Sequence, residues 1–239
     1  MSTPTQTGPG TTAQHALTHL RDEIVSGALV PGARIGQESV AGRLGISLAP
    51  VREALRILER EGQVTYRPRR GYIVTELNMT DLEEIYALRA LLEREAAFSS
   101  LPKLTEEDLA AIEQAAAACA AAVSADDVVS ELAANRRFHH AILAPAGRPH
   151  LQGLIDLLWD QTEAYRAIYY NSAVERRESL RAHDRILGAV VAGDPERLAA
   201  ELDAHRERAL VVLRGIIAAP TAAHTAASAH APAAAPAAA

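Results

Sequence analysis

The chain has 239 residues, 49% of them apolar and only 4% aromatic, with a formal net charge of −6. That length suits two compact domains, and apolar content dominated by Ala, Leu, Val and Ile at helical spacing favours helices packed on helices over a large sheet. A single cysteine, Cys119, excludes a disulfide framework within the chain and a cysteine-rich zinc site, and its place in the run AAAACAAAV reads as a small buried apolar residue.

The opening MSTPTQTGPGTT lacks the basic start and apolar stretch of a signal peptide, and no apolar run approaches the roughly 18 residues that span a bilayer. A cytoplasmic protein with no membrane partner is expected. The acidic charge is unevenly spread. Residues 11–76 hold nine arginines against seven acidic residues, and residues 43–70 hold seven arginines against three glutamates. A locally basic segment on an acidic chain is what a separate nucleic-acid-binding domain produces.

Residues 1–12 and the Ala/Pro tail 220–239 are low in complexity and read as disordered, with no role for His224 or His230. From residue 13 a helix carries Leu17, Leu20, Ile24 and Val25 on one face and ends near Gly27, before a Pro31-Gly32 turn. A short helix, QESVAGRLG, closes at Gly45. The longer APVREALRILEREGQV follows, with Ser47 as a cap and Pro50 in the first turn. Val51, Leu55 and Leu58 point to the core, while Arg52, Arg56 and Arg60 share another face. Two β-prone stretches, QVTYR and GYIVT, joined by Pro68-Arg69-Arg70-Gly71, read as a hairpin with a basic tip. Residues 13–76 therefore predict a winged helix-turn-helix.

After Asn78 the pattern becomes helical throughout. Thr80 caps the first helix with Glu83 completing a capping box. Further helices are expected at about 105–123, 127–144, 149–171, 173–192 and 195–218, the last with Asp194 as cap and Pro195 in the first position. Residues 77–219 thus predict an antiparallel all-α bundle of about six helices, making the chain mainly α.

Within the first domain, Arg52 and Arg56 lie in the first turns of the third helix, the part that enters a major groove in such folds. Ser47 can donate to a phosphate, Arg69 and Arg70 can reach a flanking phosphate or the minor groove, and Gly71 lets the hairpin tip approach closely. The alternative is that the arginines pair with glutamates such as Glu53 and Glu59. In the second domain, Asn135 and His139 are four residues apart on one helical face, and His183 and His205 lie on later helices that can run side by side. Three imidazoles with an oxygen donor suit Zn²⁺, Ni²⁺ or a similar divalent ion, yet three scattered histidines fit core or surface positions as well. His140 points about 100° away from His139 and is peripheral. Trp159, Tyr165 and Arg166 fit either a cavity wall or core packing, and stay outside the expected site.

The run from Pro31 to Val74 closely resembles the DNA-binding domain of the GntR superfamily, through PVREAL, the Leu-Glu-x-Glu-Gly of residues 58–62, and the Arg-Pro-Arg-Arg-Gly wing. The second domain is similar to the FCD ligand-binding domain of the FadR-like branch, and the match covers about residues 14 to 218. The resemblance implies a homodimeric transcriptional repressor that binds a palindromic operator in double-stranded DNA. It implies a small organic acid or sugar acid as effector, and no enzyme activity. It also implies a divalent ion, Zn²⁺ with Ni²⁺ or Mn²⁺ as alternatives, held by Asn135, His139, His183 and His205. Arg89 matches a recurrent arginine expected to meet the effector's carboxylate, or else to pair with Glu93. Two departures matter. Leu48 and Ala49 stand where the family usually has Arg and often Thr, so its usual operator is not carried over. Asn135 stands in place of Asp, which removes a negative charge and weakens the metal. Alternatives are a metal-free pocket for another ligand, or a metal-dependent hydrolase or lyase, for which no motif supplies a general base.

Overall fold

Leu17, Leu20 and Ile24 recur at helical spacing. In the computed structural model, which describes residues 9–76, 78–170 and 172–218, they form the buried stripe of α1 (Pro9–Val25). This helix begins inside the stretch expected to be disordered. Residues 1–8 and the tail from 219, with His224 and His230, lie outside the described residues. Helix α2 (Gln37–Leu44) and α3 (Leu48–Arg60) follow, and Val51, Ala54, Leu55 and Leu58 of α3 are buried as the spacing requires. Ser47 occupies the N-cap position of α3 with extended backbone, but its side chain makes no capping bond.

Strands β1 (Val64–Arg67) and β2 (Gly71–Val74) pair antiparallel, with Val64 opposite Val74 and Arg67 opposite Gly71. Their turn places Arg69 at φ 67° and Gly71 at φ 78°, so the tip holds two left-handed residues, one of them carrying a side chain. The segment after α1 adds an isolated bridge from Arg34 to Ile73, supported by Ile35 N–H donating to the Tyr72 carbonyl at 2.9 Å. That bridge ties the wing to the body of the domain.

Helix α4 (Met79–Ser100) is capped by Asn78, with Asp81 closing the box, rather than by Thr80 and Glu83. The two boxes overlap in sequence; the earlier start lets Met79 pack against the core. Helices α5 (Glu106–Ser124) and α6 (Val128–Leu143) are capped by Thr105 and Asp127. The helix expected over 149–171 is two helices, α7 (Pro149–Gln161) and α8 (Glu163–Tyr170). At the break, Thr162 Oγ1 donates to the carbonyls of Leu158 and Trp159, both at 3.2 Å, so side chains take over the turn. Helices α9 (Ala173–Val191) and α10 (Pro195–Ala218) complete the bundle, α10 being capped by Asp194, which accepts from Arg197 N–H at 2.9 Å. Among the described residues no helix is long and apolar enough to cross a membrane.

The apolar core falls into two clusters. One holds α5 with parts of α4, α6, α7, α9 and α10 around Phe138, Ile155 and Trp159. The other joins α1–α3 and the wing to Leu82, Leu132, Tyr165 and Leu213 of the helical bundle. The N-terminal domain and the bundle therefore share apolar contacts centred on α1, α6 and α8.

Candidate effector site and nucleic-acid interface

The burial of Val51, Leu55 and Leu58 fixes which face of α3 looks outward. Arg52, Arg56 and Arg60 are exposed on that face, as are Ser47 before the helix and Arg69 and Arg70 on the wing. Gly71, half-buried, closes the wing turn. Among the described residues neither Arg52 nor Arg56 pairs with a glutamate. Arg52 Nε donates to Gln37 at 3.1 Å, and Glu59 instead accepts from the Tyr72 hydroxyl at 3.4 Å. The face offers cations free to meet phosphate or base edges. Leu48 is half-buried and packs against the core, so it offers no polar group there.

In the bundle, helical spacing turns Asn135 and His139 of α6 inward together, and α9 and α10 bring His183 and His205 to meet them. One nitrogen from each of the three imidazoles lies within 4.8 Å of the others. The rings of His139 and His205 stack with centroids 5.2 Å apart. Asn135 Oδ1 accepts from the Tyr170 hydroxyl at 3.0 Å and lies 3.0 Å from His183 Nε2. His140 lies outside the cluster, half-buried against the Trp159 ring, its Nδ1 3.2 Å from Asp156 Oδ1.

Both nitrogens of His139, and Nδ1 of His183 and of His205, are buried without a hydrogen-bond partner. Unpaired buried imidazole nitrogens are costly unless something completes them. Burial, then the neighbouring imidazoles, pushes His139 and His183 well below the usual histidine range, and burial with Arg206 and Arg89 nearby brings His205 down to about 4. All three are neutral near pH 7, the form a metal requires. The donor set of three imidazoles and a neutral amide oxygen fits a divalent ion such as Zn²⁺.

Beside the histidines is a small cavity with an open volume of about 30 Å³, lined by Asn135, His139, His205 and Arg89 among others. Arg89 lines this cavity, and its Nε donates to Glu93 at 2.8 Å, the pairing the sequence reading set beside an effector contact. Glu93 also accepts from Trp159 Nε1 at 2.8 Å and from Arg206. Burial alone would raise its pKa, but Arg89 and Arg206 hold the carboxyl down to about 2. A larger cleft of about 650 Å³ lies between the domains, where Arg21 pairs with Glu61 and Arg136 with Asp160; it holds none of the clustered imidazoles.

Trp159, Arg166 and Arg206 are cavity residues that the sequence reading left out. The guanidinium groups of Arg89 and Arg166 both lie over the Trp159 ring, at 4.3 and 4.1 Å from its centroid. Helical spacing could have marked all three as inward-facing, but it cannot distinguish an arginine beside a cavity from one in a buried ion pair.

Both domains match known families. Residues 12–74 match the family of bacterial regulatory proteins, gntR family, and residues 84–208 match the FCD domain. The HTH-type transcriptional regulator McbR of Escherichia coli (strain K12) is 31% identical over 179 residues, covering 74% of this chain and 81% of McbR. The HTH-type transcriptional regulator YdhC of Bacillus subtilis (strain 168) is 29% identical over 187 residues, covering 78% and 84%. The solved structure of E. coli McbR/YncC superposes with a TM-score of 0.75 at 28% identity, covering 86% of this chain and 98% of that one. The chain belongs to the GntR family of DNA-binding transcriptional regulators, in the branch that joins a winged helix-turn-helix to an FCD domain, and not to an enzyme family.

Proposed function

We propose that this regulator is a cytoplasmic homodimeric repressor whose operator affinity is set by a small carboxylate bound at a metal ion in the FCD domain. The observation that carries the reading is the set of unpartnered imidazole nitrogens of His139, His183 and His205, buried together beside Arg89. Asn135, His139, His183 and His205 would hold the ion, Zn²⁺ with Ni²⁺ or Mn²⁺ as alternatives. The ion would supply a Lewis-acidic face for a carboxylate oxygen. None of the four protein donors is anionic, so an acid ligand offsets the ion's charge, and Arg89 presents a planar fork toward the same space.

Two copies of α3 would read the half-sites of a palindromic operator, because a two-fold protein matches a two-fold DNA site. Arg52 and Arg56 would face base edges, and Ser47, Arg69, Arg70 and Gly71 would contact backbone or minor groove. The effector acts only through its differential affinity for DNA-competent and DNA-incompetent forms.

Elemental analysis of the purified protein beside a His139→Ala/His183→Ala variant tests the metal. About one divalent ion per chain, lost in the variant, is expected. No ion bound after loading with zinc, nickel and manganese would overturn the metal and leave the DNA-binding assignment intact.

A further inference from the structure

Arg166 is only 5% exposed, yet its Nε and Nη1 have no hydrogen-bond partner. Its Nη2 alone is engaged, donating to the Trp159 carbonyl at 3.3 Å and lying 3.1 Å from Glu163 Oε2. That carboxylate is shared, since the same oxygen is 3.2 Å from Arg136 Nη1. A buried guanidinium with two empty donor positions and part of one carboxylate is an expensive arrangement. Burial disfavours its charge, and Arg89 and Arg136 nearby add to that against the help of Glu163.

The charge balance of the cavity points the same way. Its wall carries three guanidinium groups, Arg89, Arg166 and Arg206, against one carboxylate, Glu93, which already accepts from three donors; just outside the wall Asp203 pairs with Arg206, while Arg166 has only its share of Glu163. A divalent ion at the histidines would add two further positive charges. A single carboxylate at the ion and Arg89 would leave Arg166 as it is, still lacking an acceptor.

Building on the reading that the histidines hold a cation, we propose that the effector is a short-chain dicarboxylate. One carboxylate is held at the histidine and Arg89 end of the cavity, and the second completes the open donors of Arg166. The planar carboxylate matches the guanidinium fork. The present open volume of about 30 Å³ holds no more than a few waters, so the cavity must widen to admit the acid. Arg166 is held by one carbonyl, a shared carboxylate and the face of Trp159, whereas Arg89 and Arg206 are each anchored on Glu93, so Arg166 is the wall guanidinium freest to turn toward a ligand. Trp159 and the tyrosines Tyr86 and Tyr169 bound the remaining wall and limit the chain to a few carbons.

Calorimetric titration of the full-length zinc-loaded protein tests this. Malonate, succinate and glutarate are each compared with the monoacid of the same chain length (propionate, butyrate, valerate). At least one diacid is expected to bind about tenfold or more tightly than its monoacid, as one charge-assisted contact in a buried site supplies. Arg166→Gln should remove most of that preference, and Arg166→Lys, which keeps the charge without the fork, should restore part of it. Diacids and monoacids binding wild type equally would overturn the dicarboxylate while leaving the metal-bound carboxylate in place. The same holds if Arg166→Gln, folded by circular dichroism, weakens both classes alike. A protein that takes up no metal by elemental analysis and binds none of the acids would overturn both readings.

Discussion

Gln161, the last residue of α7, lies so close to Gly62, two residues past the end of α3, that a β-carbon on Gly62 would sit 2.6 Å from Gln161 Cγ. Gly62 also has φ 73°, a conformation that favours glycine. Two residues before Gln161 on the same helix, Trp159 forms a wall of the small cavity beside the histidines. One short stretch of α7 thus touches both that cavity and the DNA-binding domain. Gly62→Ala should lower stability by about 1–2 kcal/mol from backbone strain alone, read as a drop in Tm, with more lost if Gln161 cannot move. Gln161→Ala carries no such strain and should instead reduce the effector-linked change in operator affinity, measured by fluorescence anisotropy with and without ligand.

The arginines of α3 and the wing should separate by role. Arg56→Ala is expected to cost about 1–3 kcal/mol on the specific operator and to relax base preference. Arg70→Ala should weaken all duplexes similarly and reduce the slope of log affinity against log salt by about one. Mobility shifts on operator and scrambled DNA across a salt series distinguish the two.

Glu93 is buried and accepts from Arg89, Arg206 and Trp159. Glu93→Gln leaves Arg89 without a counter-charge and Arg206 with Asp203 alone, and should cost about 3–5 kcal/mol in chemical denaturation. The carboxyl sits at about 2 in the folded protein and about 4.3 when unfolded. Its contribution is therefore complete above pH ~4.3 and is lost as pH falls toward 2.

Glu131 gives the opposite sign. Burial, with Asp126 adding and Arg176 opposing, raises this carboxyl to about 7. The folded chain keeps a proton that the unfolded chain releases near pH 4.3, so the contribution of Glu131 is complete below that pH and fades as pH rises to 7. Stability of wild type relative to Glu131→Gln, from urea titrations between pH 4 and 8, should fall over that window. A flat difference would count against the raised value.

Metal removal should also register in stability. Zinc present at a hundred times its Kd should raise stability by about 2.7 kcal/mol through linkage. Chelation should lower Tm and zinc should restore it, whereas a His139→Ala protein should melt alike under both conditions.

Local sequence rules account for much of the fold. The Leu17/Leu20/Ile24 stripe, the PVREAL helix and the Asp194-Pro195 start of α10 each express an interaction within one turn or one face, and each is present in the structure. The pairing of Asn135 with His139 on one face follows from helix geometry in the same way. Where two local solutions compete, the sequence is silent. Asn78 and Thr80 both begin a capping box, and packing of Met79 selects the first. No glycine or proline marks the break at Thr162, which exists because Thr162 and Arg166 side chains take the carbonyls of the preceding turn.

By itself, then, the sequence determined most of the helices, the wing, the outward arginines of α3 and the helix on which each histidine lies, but not the break between α7 and α8. Tertiary structure decided what meets what: three imidazoles from three helices, Arg166 left short of acceptors beside Trp159, and a core shared between α1 and the bundle. Periodicity reports which face of a helix is buried, a property of neighbouring residues. Which buried faces share one cavity, and whether their charges balance, depends on packing between residues far apart in the chain.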